Sequence, residues 1–377
     1  MKPVKKIFPY LLFAFSLGVV FYFAWLNHKQ FEKTMIEQAM ERLLMVADSE
    51  AQSIEQYFIN IDRDLQILSS KYAIRQSIRD ENILGRQTSG YRIFLEDSFK
   101  DLEGLVDSIY LIDFKGRVVD VGPYNQDLIG RDFSDRPDVK KLLDFQKPFF
   151  SDVFITLAGK QGISCLYPII EEGKFMGLVR AVILVDRIND LVKHINESRY
   201  VYAMVMDSNA DILSFPLNRF IGRNLKLLMD KAGSDFRFPE FKALLPKILT
   251  GSRGSAVLSF FSDEENPKPK LMLMAYAPIK IDRHVWSVTV AREYEAISGP
   301  INNNAISAIV FAGLLAVIII ISGLFFYKNQ KEKDCLEIAA SASRIINKEL
   351  HLEIDERRHI EEELQDSLRK LKGPRKR

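Results

Sequence analysis

The 377-residue sequence is almost balanced in charge, since 52 lysines and arginines stand against 50 aspartates and glutamates, for a formal net charge of +2. A nucleic-acid-binding surface requires a clear excess of basic side chains, so no nucleic-acid partner is expected. The two cysteines, Cys165 and Cys335, lie on opposite sides of the second apolar segment described below. They are not expected to pair within one chain, so the folded part must be stabilised by its hydrophobic core.

Two uncharged apolar segments, residues 7–26 and 304–327, are each long enough to form a membrane-spanning helix. About 20 apolar helical residues cross a hydrocarbon layer of about 30 Å, whereas a core helix of a soluble protein normally keeps a polar face over that length. The run AIVFAGLLAVIIIISGLFF in the second segment has only a hydroxyl as polar side chain, and a hydroxyl can bond back to its own helix. Both segments are therefore predicted to span a membrane.

The first segment also has the layout of a signal peptide, because Lys2, Lys5 and Lys6 precede it. However, its apolar run is longer than the roughly 7–15 residues typical of signal peptides. The following residues, FAWLNHKQ, offer no cleavage site between small residues. An uncleaved anchor is the favoured interpretation.

Basic residues predict the orientation of the two spans. Such residues mark the cytoplasmic ends of membrane helices, and here they precede the first span and follow the second, at Lys328, Lys331 and Lys333. Both termini are expected in the cytoplasm, with the middle segment outside the inner (cytoplasmic) membrane. The expected segments are 1–6 (cytoplasmic), 7–26 (span), 27–90 (long outer helical region), 91–196 and 197–298 (two folded modules), 304–327 (span) and 328–377 (cytoplasmic helix).

The first span is expected to continue as a long helix. Apolar residues recur alternately four and three residues apart, and this spacing of 3.5 residues places them on one helix face. Such a seam can pack on the domains that follow it or on the same helix of a second chain, and we expect both, which makes the protein a homodimer. The seam residues are Ala47, Ala51, Ile54, Phe58, Ile61, Leu65 and Leu68.

After this helix the pattern becomes that of strands, and one order of features occurs twice. SIYLIDFKGRVVDV and YVYAMVMDSNADILSF are each predicted to form a β-hairpin, followed by a loop with short helical segments. Three strands close each round, at PFFSDVFI, ISCLYPII and KFMGLVRAVILVD in the first and at SAVLSFF, KLMLMAYAPI and VWSVTVAR in the second. The predicted fold class is α+β, with two antiparallel sheet modules in series.

Several strings support a family resemblance. GRDFSDRPDVKKLL and YPIIEEGKFMGLVRAVILV in the first module, and MVMDSNADILSFPLNRFIGRNL and AYAPIKIDRHVWSVTVA in the second, resemble the double Cache (PAS-like) sensor domain of bacterial transmembrane receptors and sensor histidine kinases. The resemblance covers about residues 31–297. It implies that residues 91–196 form a membrane-distal module that binds a small molecule and that residues 197–298 form a membrane-proximal module.

No catalytic or metal-binding motif is found in the outer segment. It lacks a phosphate-binding glycine loop, an HExxH motif and paired cysteines, and the five histidines of the chain are scattered. We therefore expect neither an enzyme nor a bound cofactor or metal.

The resemblance places Arg136 on a loop over the distal sheet, where its planar donors suit a carboxylate. The alternative for Arg136 is a structural salt bridge to Asp132, Asp135 or Asp138. Strand alternation predicts that Phe150, Asp152 and Phe154 share one face and that Cys165 and Tyr167 share another. For the aromatic residues the alternative is core packing. The expected ligand-binding residues are Arg136, Asp152, Tyr167, Tyr110 and Phe150.

The sequence departs from the amino-acid-binding members of this family. Those members carry an R-x-W-Y string and an aspartate on the closing strand that pairs with the ligand's ammonium group. Here the string reads Arg136, Pro137, Asp138, Val139, and Val182 stands where the aspartate is expected. This argues against an α-amino-acid ligand and leaves a carboxylate or another small polar molecule.

The tail after the second span is expected to be a parallel coiled coil, although a solvated single helix is the alternative. IDERRHIEEELQDSLRKL alternates opposite charges at helical spacing and resembles a signalling helix. ERRHIEEELQDSL also resembles the phosphoacceptor helix of a histidine-kinase family, but Gln365 occupies the acceptor position. No kinase or cyclase motif follows.

The expected function is that of a receptor whose outer domain binds a small molecule and passes a conformational signal to the cytoplasmic helix, with a kinase or another output protein as possible partner. Two alternatives remain open. The chain can be the sensor portion of a truncated sensor histidine kinase or diguanylate cyclase, or a membrane-tethered interaction protein whose outer modules bind a protein.

Overall fold

The computed structural model describes residues 3–84, 89–196, 201–231, 238–260 and 270–371. It divides into two compact units, one comprising residues 32–301 and the other the described residues before 32 and after 301. The described α-helices are α1 (Pro3–Ser70), α2 (Tyr72–Leu84), α3 (Ser89–Asp101), α4 (Pro137–Phe145), α5 (Val185–Asn196), α6 (Leu225–Lys231), α7 (Pro239–Leu249) and α8 (Glu295–Leu371).

The unit formed by the two ends of the chain consists of the first part of α1 and most of α8. These two helices are long and apolar enough to cross a membrane, by length and composition. The rings of Phe13 in α1 and Phe326 in α8 lie 6.3 Å apart at an interplanar angle of 59°.

The first module of the larger unit is built on an antiparallel sheet. In the order β2-β1-β6-β5-β3, the strand β6 is central, and β4 also pairs with β5. The strands are β1 (Ser108–Asp113), β2 (Val118–Gly122), β3 (Phe149–Phe150), β4 (Phe154–Ile155), β5 (Gln161–Glu171) and β6 (Lys174–Leu184). The predicted hairpin and closing strands are therefore confirmed.

The second module repeats this arrangement with five strands. Their order is β8-β7-β11-β10-β9, so β11 is central as β6 is in the first sheet. The strands are β7 (Val201–Met206), β8 (Ile212–Ser214), β9 (Gly254–Phe260), β10 (Lys270–Ile281) and β11 (His284–Glu293). Two antiparallel sheets with a long helix at each end of the chain confirm the predicted mixture of helix and sheet.

The turns of the first hairpin in each module are stabilised by the same pattern of hydrogen bonds. The carboxylate of Asp113 accepts hydrogen bonds from the backbone N–H groups of Lys115 and Arg117, at 2.9 and 2.8 Å. The carboxylate of Asp207 accepts from Asn209 and Asp211 in the same way, both at 2.8 Å. Such side-chain bonds to the following backbone favour a turn over a continued strand. The internal repeat therefore extends to individual hydrogen bonds.

The seam of α1 packs on its own chain. All seven of its residues, Ala47, Ala51, Ile54, Phe58, Ile61, Leu65 and Leu68, are at most 4% exposed. At the centre of the seam, the ring of Phe58 meets Phe150 of the first sheet and Trp286 of the second edge-on, each at 5.4 Å. The expectation that the seam also contacts a second chain is wrong, because both sheets already cover it.

The opposite face of each sheet is covered by a helix that follows the hairpin. In the first module Val139 and Leu142 of α4 pack in the core cluster with Leu166 and Leu178. In the second, Phe241, Leu245 and Ile248 of α7 pack against Leu258 and Met274. Each sheet is therefore enclosed between α1 on one face and a short helix on the other.

Candidate ligand-binding site in the first module

A buried arginine lies at the centre of the first sheet. Arg180 of β6 pairs with Tyr110 of β1 on one side and with Leu166 of β5 on the other. Its side chain is only 2% exposed, and its Nε donates a 2.6 Å hydrogen bond to Oδ2 of Asp138. A guanidinium remains charged at neutral pH, so this position requires anionic or hydrogen-bonding partners.

The start of α4 supplies the other two charged groups. Pro137 occupies a first-turn position, where its missing N–H costs no helical hydrogen bond. Arg136 is the N-cap residue and makes no side-chain capping bond, and its guanidinium lies over the ring of Phe154 in β4. Asp138, buried in the first turn, lies where the helix dipole favours a negative charge. Arg136 Nε is 3.9 Å from Asp138 Oδ1.

Aromatic rings hold both guanidinium groups in place. The carbon at the centre of the Arg180 guanidinium lies 5.0 Å from the ring centre of Phe154 and 5.4 Å from that of Tyr110. The Arg136 guanidinium lies 5.3 Å from the same Phe154 ring and 5.1 Å from Phe133. All four distances are within the range of cation–π attraction, so Phe154 contacts both cations.

The electrostatics of this cluster leave an excess positive charge. Burial alone raises the pKa of Asp138, but the charge and hydrogen bond of Arg180, with help from the hydroxyl of Ser164 and the charge of Arg136, hold that pKa below its ordinary value. Asp138 is therefore an anion at neutral pH. Burial lowers the pKa of Arg180, while Asp138 opposes that change. Two guanidinium groups then face one carboxylate.

Two donors of this cluster are buried and make no hydrogen bond within the described residues. They are Nη2 of Arg180 and Nε of Arg136. A buried donor without an acceptor carries a desolvation cost of about 1–3 kcal/mol, and more when it is charged. The site can therefore stabilise a small anion that supplies the missing acceptors.

Of the residues predicted from sequence, the structure brings Arg136 and Tyr110 together in this cluster. The salt-bridge alternative for Arg136 is present only as the long contact to Asp138, which is not a hydrogen bond. Arg180 was missed, although a single basic residue within the apolar string FMGLVRAVILV was a usable signal. A charged side chain inside a buried strand needs a partner, and that requirement points to a site.

The predicted alternation along PFFSDVFI is wrong. Phe150 pairs with Cys165 and Phe154 pairs with Gly162, so four residue steps on one strand match three on the other. One extra residue reverses the face of everything beyond it. Phe150 consequently contacts Phe58 of α1, whereas Phe154 contacts the two arginines on the opposite face.

The other two predicted residues also lie away from the arginines. Tyr167 donates a 2.8 Å hydrogen bond to Asp62 of α1, and burial raises its pKa. Asp152 has a side chain that is 81% exposed, with Oδ1 3.7 Å from Nδ1 of His284. Phe150 and Tyr167 line a separate cavity of about 280 Å³ beside α1 and the turn between β10 and β11. The five predicted residues therefore do not form one site.

The described residues contain no group of three or more histidine, cysteine, aspartate or glutamate side chains that could hold a metal ion. The arrangement of Arg136, Asp138 and Arg180 can accept an anion, since two cations are held near rings beside a single carboxylate.

Comparison with solved structures shows similar folds at low sequence identity. An extracellular ligand-binding receptor from Desulfohalobium retbaense DSM5692 has a TM-score of 0.50 and 16% identity, over 67% of this chain and 40% of that chain. This chain therefore matches less than half of that receptor. No curated protein matches the sequence.

Two chemoreceptor domains are similar over nearly their whole length. The ligand-binding domain of the Pseudomonas aeruginosa PAO1 amino acid chemoreceptor PctB, in complex with L-Arg, has a TM-score of 0.52 and 13% identity, over 70% of this chain and 98% of that chain. The ligand-binding domain of the Pseudomonas fluorescens chemoreceptor CtaA, in complex with L-serine, has a TM-score of 0.50 and 17% identity, over 69% and 99%. At these identities the likeness concerns the fold.

Membership of a family follows from the sequence match rather than from these superpositions. The family model described as Cache domain, of the dCache_1 type, matches residues 28–301, which include both sheets and the seam of α1. Two sheets of like strand order, arranged in series after a long helix, agree with that match. The chain belongs to the double Cache family of sensor domains.

Proposed function

We propose that this protein is a transmembrane receptor whose first Cache module binds a small carboxylate outside the cytoplasmic membrane. The observation that supports this most strongly is the buried Nη2 of Arg180, which has no acceptor within the described residues. A carboxylate can accept two parallel hydrogen bonds from a guanidinium, and such charge-assisted bonds are among the strongest in proteins. The ligand would add the second negative charge that the cluster lacks.

The same cluster disfavours a ligand with an ammonium group beside its carboxylate. Val182 lies two residues after Arg180 on β6, hence on the same face, and belongs to the hydrophobic cluster. Among the described residues, the carboxylate at the centre of the cluster is that of Asp138, which is already bonded to Arg180. An ammonium group would therefore meet two cations and an apolar side chain. The ligand class is a carboxylate without an α-ammonium group.

The membrane part of the proposal rests on the two apolar helices. Lysines lie before the first apolar segment and after the second, which favours cytoplasmic termini. β11 ends at Glu293 and α8 begins at Glu295, so the second sheet is joined directly to the helix that enters the membrane. Ligand binding can shift this helix only as far as the affinity differs between two arrangements.

The tail is proposed to act as a coiled coil in a homodimer. In the single chain, Leu336, Ile345 and Leu350 of α8 are 69%, 61% and 54% exposed. A helix that leaves such large apolar side chains in water gains free energy by pairing with a second copy. The two tails would then carry the signal to an output protein.

Thermal unfolding of the full chain in lipid nanodiscs tests the ligand class. Carboxylates are compared with their amides, as in lactate against lactamide and succinate against succinamide, because each pair differs in charge and little in shape. At least one carboxylate should raise the melting temperature, and its amide should not. A ligand at one hundred times its dissociation constant stabilises the folded state by about 2.7 kcal/mol. Stabilisation by amines or amides alone would contradict the proposal.

A further inference from the structure

The second module contains an apolar cavity of about 60 Å³ on the face of its sheet that is turned away from α1. Its lining includes Met204, Met272 and Met274, with Phe260 at the end of β9. None of the ten described residues that line it is charged. The segment of Phe215, Pro216 and Leu217, which follows β8, also lines it.

This cavity lies where the first module has its arginine cluster. In the first sheet, Arg180 pairs with Tyr110, which is three residues before the turn aspartate Asp113. In the second sheet, Thr289 pairs with Met204, which is three residues before the corresponding aspartate, Asp207. Thr289 therefore takes the place of Arg180 on the central strand. The repeat has kept the location and replaced its charges by a hydroxyl and thioethers.

The hydroxyl of Thr289 also lacks a hydrogen-bond partner among the described residues. Its side chain is 2% exposed, and its Oγ1 makes no hydrogen bond within the described residues. Water is a poor occupant, because a buried water needs two to four polar partners. Among the described side chains of the lining, the hydroxyl of Tyr202 is already bonded to Glu293. A single hydroxyl in an apolar wall instead suits an organic molecule with one polar group.

We propose that this cavity is a second ligand site, which takes an uncharged organic molecule with one hydrogen-bonding group, such as a short-chain alcohol. One water-sized position corresponds to about 10–15 Å³, so the cavity holds a ligand of about four to six non-hydrogen atoms. Methionine side chains are flexible and polarizable, so they can adjust to the shape of the guest. The receptor then binds two ligands of different chemistry, a charged one in the first module and an uncharged one in the second.

Propan-1-ol, which has four non-hydrogen atoms, is the probe for the test. The full chain carrying ¹³C-methyl methionine is placed in phosphatidylcholine nanodiscs and titrated with propan-1-ol while the methyl signals are followed by NMR. The signals of Met204, Met272 and Met274 should shift saturably. Met176, which is buried in the first module, serves as the internal control and should not follow the same curve.

Two substitutions and one matched control show where the alcohol binds. Thr289→Val keeps the shape and removes the hydroxyl, so it should weaken binding about fivefold. Ala291→Leu fills the cavity and should abolish the shifts. Ser287→Ala removes another buried hydroxyl without a described partner on the same strand, outside the lining, and should leave binding unchanged. Absence of saturable shifts in the parent chain, or equal affinity in the parent and Thr289→Val, would overturn the proposal.

Discussion

The ion pair between Arg180 and Asp138 defines the chemistry of the first module at the scale of single residues. Each partner is buried, at 2% and 7% exposure, so either one alone would be an uncompensated charge in the core. Arg136 then provides a second positive charge that no described side chain neutralises at hydrogen-bond distance. In the proposed site, both guanidinium groups are therefore held in place before any ligand binds.

Acid should weaken the fold through Asp138. Because its pKa in the folded state lies below the ordinary value of 3.8, Asp138 contributes stability that is fully present above that value and is lost as the pH falls through the folded pKa. Urea unfolding, followed by the fluorescence of the buried Trp286, should show this loss below about pH 4. Asp138→Asn should lower stability at pH 7 and flatten the acid dependence. An unchanged acid slope in Asp138→Asn would assign the dependence to other carboxylates.

At the scale of elements, the seam of α1 shows what periodicity can and cannot predict. The seven residues that the 3.5-residue spacing identified are all buried, because burial on one face of a helix is a local property of the sequence. It could not say which surface covers that face, since a second helix and a sheet select the same residue types. The contacts of Phe58 with Phe150 and Trp286 depend on partners far away in the chain.

A pair of isoleucines on α1 tests this assignment. Ile54 is fully buried and Ile59, five residues later, is 54% exposed. Ile54→Ala should lower the free energy of unfolding by about 2–5 kcal/mol, because it removes packed methyl groups and leaves a cavity. Ile59→Ala should change it by no more than about 0.5 kcal/mol. Urea unfolding of both variants gives the comparison, and similar losses would mean that α1 is rotated relative to the sheets.

Strand positions were predictable from the sequence, but the face of one strand was not. In a regular strand, the side chains of PFFSDVFI would alternate between the two faces of the sheet. The extra residue between Phe150 and Phe154 is seen only in the pairing with β5. Bulges of this kind depend on the partner strand, so the single sequence carries no local signal for them. The predicted site mixed Tyr167 and Phe150, which face α1, with Arg136 and Tyr110, which face Arg180, because the sequence alone does not show which face of the sheet α1 covers.

At the scale of the whole molecule, two modules of one design carry different chemistry. Asp113 and Asp207 hold equivalent turns after β1 and β7, while Arg180 and Thr289 occupy equivalent positions on the central strands. The repeat was visible in the sequence as an order of hairpin, helix and strands. The site was less visible, because it depends on which side chains the sheet brings opposite each other.

The proposed topology predicts the behaviour of reporter fusions. A reporter that is active only outside the cytoplasm, fused after Asn196, should work, because Asn196 ends α5 in the segment between the spans. The same reporter fused after Lys333 should be inactive, since the lysines that follow the second span favour the cytoplasmic side. Activity in the reverse pattern would contradict the assigned orientation.

Carboxylate affinity in two arginine variants tests the central claim most directly. For the carboxylate found by the thermal screen, Arg136→Ala should weaken binding at least about tenfold, or about 1.4 kcal/mol, since charge-assisted hydrogen bonds contribute about 1.5–3 kcal/mol. Arg136 makes no capping bond, so the melting temperature without ligand should change little. Arg223→Ala, at an exposed arginine of the second module, is the matched control and should leave affinity unchanged. Unchanged affinity in Arg136→Ala, or a larger loss in Arg223→Ala, would show that the first module does not hold the carboxylate.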